Sequence, residues 1–108
     1  MRERIYIAGK VTGEPLDVCK MKFEKRKIEL FTAGYEPVSP MDLNFSTLIN
    51  GYSFLSDADR WYCEMRACIA VLLSCDGISL LPDWEYSRGA QIEWLLATKL
   101  GKHKIIEL

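Results

Sequence analysis

The chain has 108 residues, 49% of them hydrophobic, and its 14 Lys and Arg against 15 Asp and Glu give a formal net charge of −1. One domain spanning 1–108 is expected, burying roughly 60–70% of its unfolded surface. The balanced charge excludes a general polyanion-binding face, so no nucleic-acid polymer is expected as a partner. No stretch approaches the ~18 apolar residues of a membrane span, and MRERIYIAG reads as neither leader nor anchor, so a cytoplasmic protein without membrane contact is expected.

Residues 4–8 (RIYIA) alternate around Ile5 and Ile7 and read as a first strand, with Tyr6 on its other face. Gly9 follows at once, then Lys10. A glycine directly after a strand permits a tight turn or a close approach to a ligand, which makes Gly9 and Lys10 candidate pocket residues. GKVTG has the spacing of neither a dinucleotide fingerprint nor a P-loop. From about Asp17 to Ala33 the pattern is helical, with Met21, Ile28 and Phe31 as the expected apolar stripe, Phe23, Lys27 and Leu30 beside it, and Gly34 as the stop. Its lysines and arginine, interrupted by Glu24 and Glu29, read as a solvated face. Tyr35 to Val38 is a short second strand, placed at an edge because Pro37 cannot donate to a ladder.

Residues 39–57 are irregular, with a short helix expected near Asn44–Asn50. So long an insertion in a small domain reads as a lid or a subunit contact, with a packed surface loop as the alternative. Ser56 or Asp57 then caps a helix running to about Leu73, with Trp61, Met65, Ile69 and Leu72 as its expected core stripe. Four cysteines (19, 63, 68 and 75) contain no CxxC, and His103 is the single histidine. They read as free thiols, with no metal or cofactor implied.

The stretch from Asp76 to Lys99 organises the rest. Ile78, Leu80 and Leu81 form a short buried strand, Pro82 and Asp83 end it, and Trp84 to Ser87 make a turn. A helix follows, with Ser87 as N-cap and Ile92, Leu95, Leu96 and Leu100 at helical spacing. Gly101 ends it, and residues 104–108 make a last strand. Strand, loop and helix N-terminus form the place where α/β sheets bind ligands. Glu93, early in that helix, is the first candidate for chemistry. Four strands alternating with helices predict a mostly parallel sheet in the order 2-1-3-4, a small three-layer Rossmann/flavodoxin-like α/β domain. At its switch point Tyr6, Lys10, Asp83, Ser87 and Glu93 would converge.

IYIAGKVTG at 5–13, the MxxC…LLxCDxIxLLPDW run at 65–84 and SRGAQIEWLLA at 87–97 resemble the nucleoside 2-deoxyribosyltransferase-like superfamily, and more narrowly its small bacterial and phage relatives. The resemblance covers nearly the whole chain apart from 42–56. It implies a glutamate nucleophile that attacks C1′ of a 2-deoxynucleoside or deoxynucleotide, displaces the base and holds the sugar as an ester. The Ser-x-Gly-x-x-x-Glu arrangement of those enzymes matches Ser87, Gly89 and Glu93, and their first-strand tyrosine matches Tyr6. Ser87 and Gly89 become candidates for a 5′-phosphate. The pattern departs at Cys68, where those enzymes carry an aspartate, and Glu64 one turn earlier is the candidate substitute.

The expected function is N-glycosidic cleavage or transfer on a nucleoside or its 5′-monophosphate. The alternatives are a nucleotide-binding domain without turnover and a small interaction domain. Trp84 and Tyr86 are expected to wall in a base. Apolar residues beyond one core face, including Tyr62, Leu73, Phe45 and Phe54, predict a homo-oligomer, a dimer or tetramer.

Overall fold

The N-terminal apolar alternation forms β1 (Arg4–Ala8), in which Ile5, Tyr6, Ile7 and Ala8 are all fully buried. A strand buried on both faces belongs at the centre of a parallel sheet covered by helices. The computed structural model, which describes residues 1–101 and 103–108, shows this arrangement. β1 pairs in parallel with β2 (Glu36–Val38) and with β3 (Gly77–Leu80), and β3 pairs in parallel with β4 (Lys104–Ile105). The order is β2-β1-β3-β4, as the sequence predicts. The last strand is shorter than expected, and the second begins one residue later, at Glu36.

Helix α1 (Leu16–Thr32) covers one face, where Phe23 and Leu30 pack on Ile5, Ile7 and Leu81. On the other face, α3 (Asp57–Leu73) and α4 (Arg88–Leu96) supply Cys68, Leu72, Ala90 and, just past α4, Ala97, packed with Tyr6, Ala8 and Ile78. Each fully buried isoleucine or leucine contributes about 1.5–3 kcal/mol over an exposed one. Gly34 adopts φ 97° and ends α1 in the left-handed conformation that an L side chain resists.

Three expected stripes are corrected. On α1, Met21, Ile28 and Phe31 face outward, and the inner row is Cys19, Phe23, Arg26 and Leu30. Arg26 belongs to that row because its guanidinium donates to Ser79 Oγ at 2.8 Å and to the Leu80 carbonyl at 3.0 Å. Lys22 is likewise held inward, pairing with Glu14 at 3.2 Å and Asp83 at 2.5 Å, so this basic face is not wholly solvated. On α3, the buried residues are Cys68 and Leu72, while Trp61, Met65 and Ile69 are half-buried. On α4, Leu95 is exposed and the inner row is Ala90 and Glu93, continued by Ala97, with Leu100 beyond them also exposed. Small residues let α4 lie close to the sheet, which displaces its bulky aliphatics from the inner row.

The 39–56 insertion is ordered by short local elements. A 3-10 turn spans Pro40–Asp42, α2 spans Phe45–Leu48 with Asn44 as its cap, and a second 3-10 turn spans Tyr52–Phe54. Arg60 of α3 fastens it by donating to the carbonyls of Tyr52 at 3.2 Å and Ser53 at 3.1 Å. No helix among the described residues is long and apolar enough to cross a membrane.

Candidate functional site

Beyond the C-terminal ends of β1 and β3 lies a cavity of about 780 Å³. Strand β1 contributes Tyr6, and the turn after it contributes Gly9 and Lys10. Gly9 is required by packing as well as by access, since a Cβ there would stand 2.5 Å from Leu81 Cδ1. From α4 and its cap come Ser87, Arg88, Gly89, Ala90 and Glu93, and from α3 come Asp57, Trp61, Glu64, Met65 and Cys68. The insertion closes the remaining side with Pro40, Met41 and Phe45.

Glu93 sits at the floor, 5% exposed, and its Oε2 accepts a hydrogen bond from the Tyr6 hydroxyl. Burial raises its pKa to about 7, although the Tyr6 bond acts in the opposite direction. Near neutral pH the carboxyl is therefore divided between its two protonation states. Burial and the neighbouring Glu93 hold the Tyr6 phenol well above its usual range. Burial and the same carboxylate push the Cys68 thiol up to about 12, leaving it a neutral group at physiological pH.

Ser87 caps α4 by accepting from the Ala90 amide at 3.1 Å, so the first turn of that helix opens on the cavity. Lys10 and Arg88 border the same opening, and neither forms an ion pair among the described residues. The Arg88 guanidinium lies 4.1 Å from the centre of the Trp61 ring. One side of the cavity thus offers amides and cations, and the floor offers a buried carboxyl and a phenol.

Of the residues singled out from sequence, Tyr6, Gly9, Lys10, Glu64, Cys68, Tyr86, Ser87, Gly89 and Glu93 line the cavity. Asp83 and Trp84 do not. Asp83 accepts from the Lys10 amide at 3.0 Å and pairs with Lys22, so it braces the turn from behind. Burial raises its pKa, but Lys22 and the Lys10 amide outweigh that and leave it low. Trp84 packs on the core and against Trp94, with ring centres 5.5 Å apart. It is half-buried and borders a separate, smaller pocket, and Tyr86 alone of that pair remains at the mouth of this cavity.

Sequence reasoning missed Arg88, Phe45 and Asp57, and took Trp61 and Met65 for core. The signal was present on α3: Asp57, Trp61, Glu64 and Cys68 recur every three or four residues on one face, ahead of the buried Leu72. That stripe leaves the core and continues as cavity wall.

A family profile described as Domain of unknown function (DUF4406) matches residues 3–106. The chain belongs to this family. The DUF4406 chain matches none of the functionally curated proteins. Its fold is a Rossmann-like α/β architecture compatible with small-molecule binding, and the cavity lies where such folds bind ligands.

Proposed function

We propose that this DUF4406 chain cleaves or transfers the N-glycosidic bond of a 2-deoxynucleoside or its 5′-monophosphate, as its resemblance to the nucleoside 2-deoxyribosyltransferase-like superfamily implies. The observation that carries the reading is Glu93, a buried carboxyl at the floor of the cavity, oriented by Tyr6 and reached past a helix N-terminus. The ionised Glu93 oxygen attacks C1′ while the C1′–N bond breaks, and the base leaves with the bonding pair. A carboxylate suits this step because it opposes the positive charge that develops on the sugar. A second base or water then attacks C1′, and the ester bond to Glu93 breaks to regenerate the carboxylate. Ser87, the amides of the first α4 turn, Lys10 and Arg88 suit a 5′-phosphate, since helix N-termini and guanidinium groups favour anions.

Incubation with 2-fluoro-2-deoxynucleosides and their 5′-monophosphates, followed by peptide mass spectrometry, tests the reading. A sugar adduct on Glu93 is expected. Absence of both adduct and free base across all common bases would refute it. A second reading, nucleotide binding without turnover, is favoured by the neutral thiol of Cys68 where the resembled enzymes carry an aspartate. Binding measured by calorimetry with no adduct and no released base would select it.

A further inference from the structure

Behind the turn that follows β1, one ammonium holds two carboxylates. Lys22 Nζ of α1 lies 2.5 Å from Asp83 Oδ2 and 3.2 Å from Glu14 Oε1. Both acids are tied to that turn. Asp83 Oδ1 accepts from the Lys10 amide at 3.0 Å, and the Glu14 amide donates to the Val11 carbonyl at 3.2 Å. Lys10, Val11 and Thr12 line the cavity, whereas Glu14, Lys22 and Asp83 stand outside it. We infer that Lys22 is a positioning residue for ligand selection: by occupying Asp83 and Glu14 it keeps the Lys10 ammonium uncommitted, so that the site selects a nucleotide's 5′-phosphate over the bare nucleoside. The inference rests on the phosphate-bearing form of the reading above and deepens it.

Lys10 carries its charge on a flexible four-carbon stem, from a backbone held against Asp83. Such a group readily closes onto a neighbouring carboxylate, yet none of the ion pairs among the described residues uses Lys10. The network supplies the reason. Asp83 has both oxygens engaged, one by the Lys10 amide and one by Lys22, and Glu14 is engaged by Lys22 as well. Burial lowers the Lys22 pKa, but its bonds to Asp83 and Glu14 outweigh that and hold it above the usual lysine range. The bridging ammonium therefore stays charged at physiological pH. Stability alone accounts poorly for the arrangement. The three side chains remain between 20% and 28% exposed, where water screens ion pairs and leaves them little net effect on folding.

Without Lys22, two carboxylates would face Lys10 alone. One would capture its ammonium, and the second would add an uncompensated negative charge behind the turn. A 5′-phosphate depends on the opposite arrangement, because its charge-assisted hydrogen bonds need donors that no protein acid already holds. A nucleoside lacks that anion and gains nothing from a free Lys10. The preference between the two ligands therefore reports the state of Lys10.

The test measures, by calorimetry, the affinities of the four common 2-deoxynucleoside 5′-monophosphates and of their parent nucleosides. The readout is the ratio of the two affinities for each base. Wild type should favour the monophosphate. Lys22→Gln should cut that preference about 10-fold, and Lys22→Arg, which keeps both carboxylates occupied, should hold it within threefold of wild type. Lys10→Gln should also lower it, and in that background Lys22→Gln should change it less than threefold. A merely structural role, or a general effect of lost charge, would lower it equally in both backgrounds. The triple change Lys22→Gln, Glu14→Gln and Asp83→Asn removes the competing carboxylates while leaving an oxygen to accept from the Lys10 amide, and it should restore the preference. If Lys22→Gln alone does not fold, the triple variant decides in its place. An unchanged preference in Lys22→Gln, equal losses in both backgrounds, or a triple variant without the preference would each overturn the role of Lys22 and leave the phosphate reading standing. Wild type that binds monophosphate no better than nucleoside would overturn the phosphate reading and this one together.

Discussion

Replacing Glu93 by glutamine should stabilise the domain, and by an amount that depends on pH. Glu93 has its pKa raised from 4.5 to about 7, chiefly by burial. Below about pH 4.5 the carboxyl is neutral in folded and unfolded chains alike, and its shift costs nothing. Between 4.5 and 7 the unfolded chain ionises first, so the folded state loses ground as pH rises. Above 7 both forms are charged and the loss is complete. A shift of this size corresponds to about 3 kcal/mol. Glutamine keeps an oxygen for the Tyr6 hydroxyl and removes the titration. The gap between Glu93→Gln and wild type should therefore grow from near zero at pH 4.5 to about 3 kcal/mol at pH 8, or roughly 13 °C in Tm for a chain of this size. Urea titrations monitored by tryptophan fluorescence across that range would measure it. Parallel curves, with a constant gap at every pH, would refute the assignment of the buried charge to Glu93.

The same titration predicts that Glu93 ester formation accelerates with pH through about 7 and then levels, read by stopped mass spectrometry. Ser87→Ala should cost about 0.5–2 kcal/mol through the lost cap and should weaken monophosphate binding more than nucleoside binding; equal losses in calorimetry would leave only the capping role. Cys68 should resist iodoacetamide at pH 8 in the folded protein and react after denaturation, since its thiol titrates near 12. We also propose self-association, supported by the exposure of Phe54, Tyr62, Leu95 and Leu100. Light scattering should give a multiple of 12.4 kDa, and Phe54→Asp should reduce it. A single 12.4 kDa mass at every concentration would end that proposal.

The frame was legible because its signals are local. Alternation around Ile5 and Ile7, Pro37 at an edge, Gly34 as a stop and Ser87 as a cap each act within a few residues. Ser87 and Gly89 stand at the start of α4 in the same way, while Tyr6 lies in the middle of β1 and Glu93 on the second turn of α4. Helix faces were harder, because amphipathicity is ambiguous when the inward row carries polar anchors. Arg26 reaches β3 with its head group, and Glu93 reaches Tyr6, so on both helices the most apolar row is not the inner one. Asp83 and Trp84 were misplaced for a different reason. They flank the cavity in sequence, but Lys22 and Trp94, distant partners that spacing does not reveal, draw them away from it. The hydrogen bond from the Tyr52 hydroxyl to Glu64 was hidden in the same way, inside a segment without periodicity.

The insertion carries none of the four strands, yet it supplies Pro40, Met41 and Phe45 to the cavity wall. The strand and helix that carry Tyr6 and Glu93 lie outside it, and its Leu43 and Phe45 pack on the core beside them. Lengthening, shortening or recomposing residues 43–51 should therefore change what the cavity admits while leaving the sheet and its buried carboxyl in register. Ligand range in such a domain can drift through one surface segment, and the chemistry at the floor can be inherited unchanged.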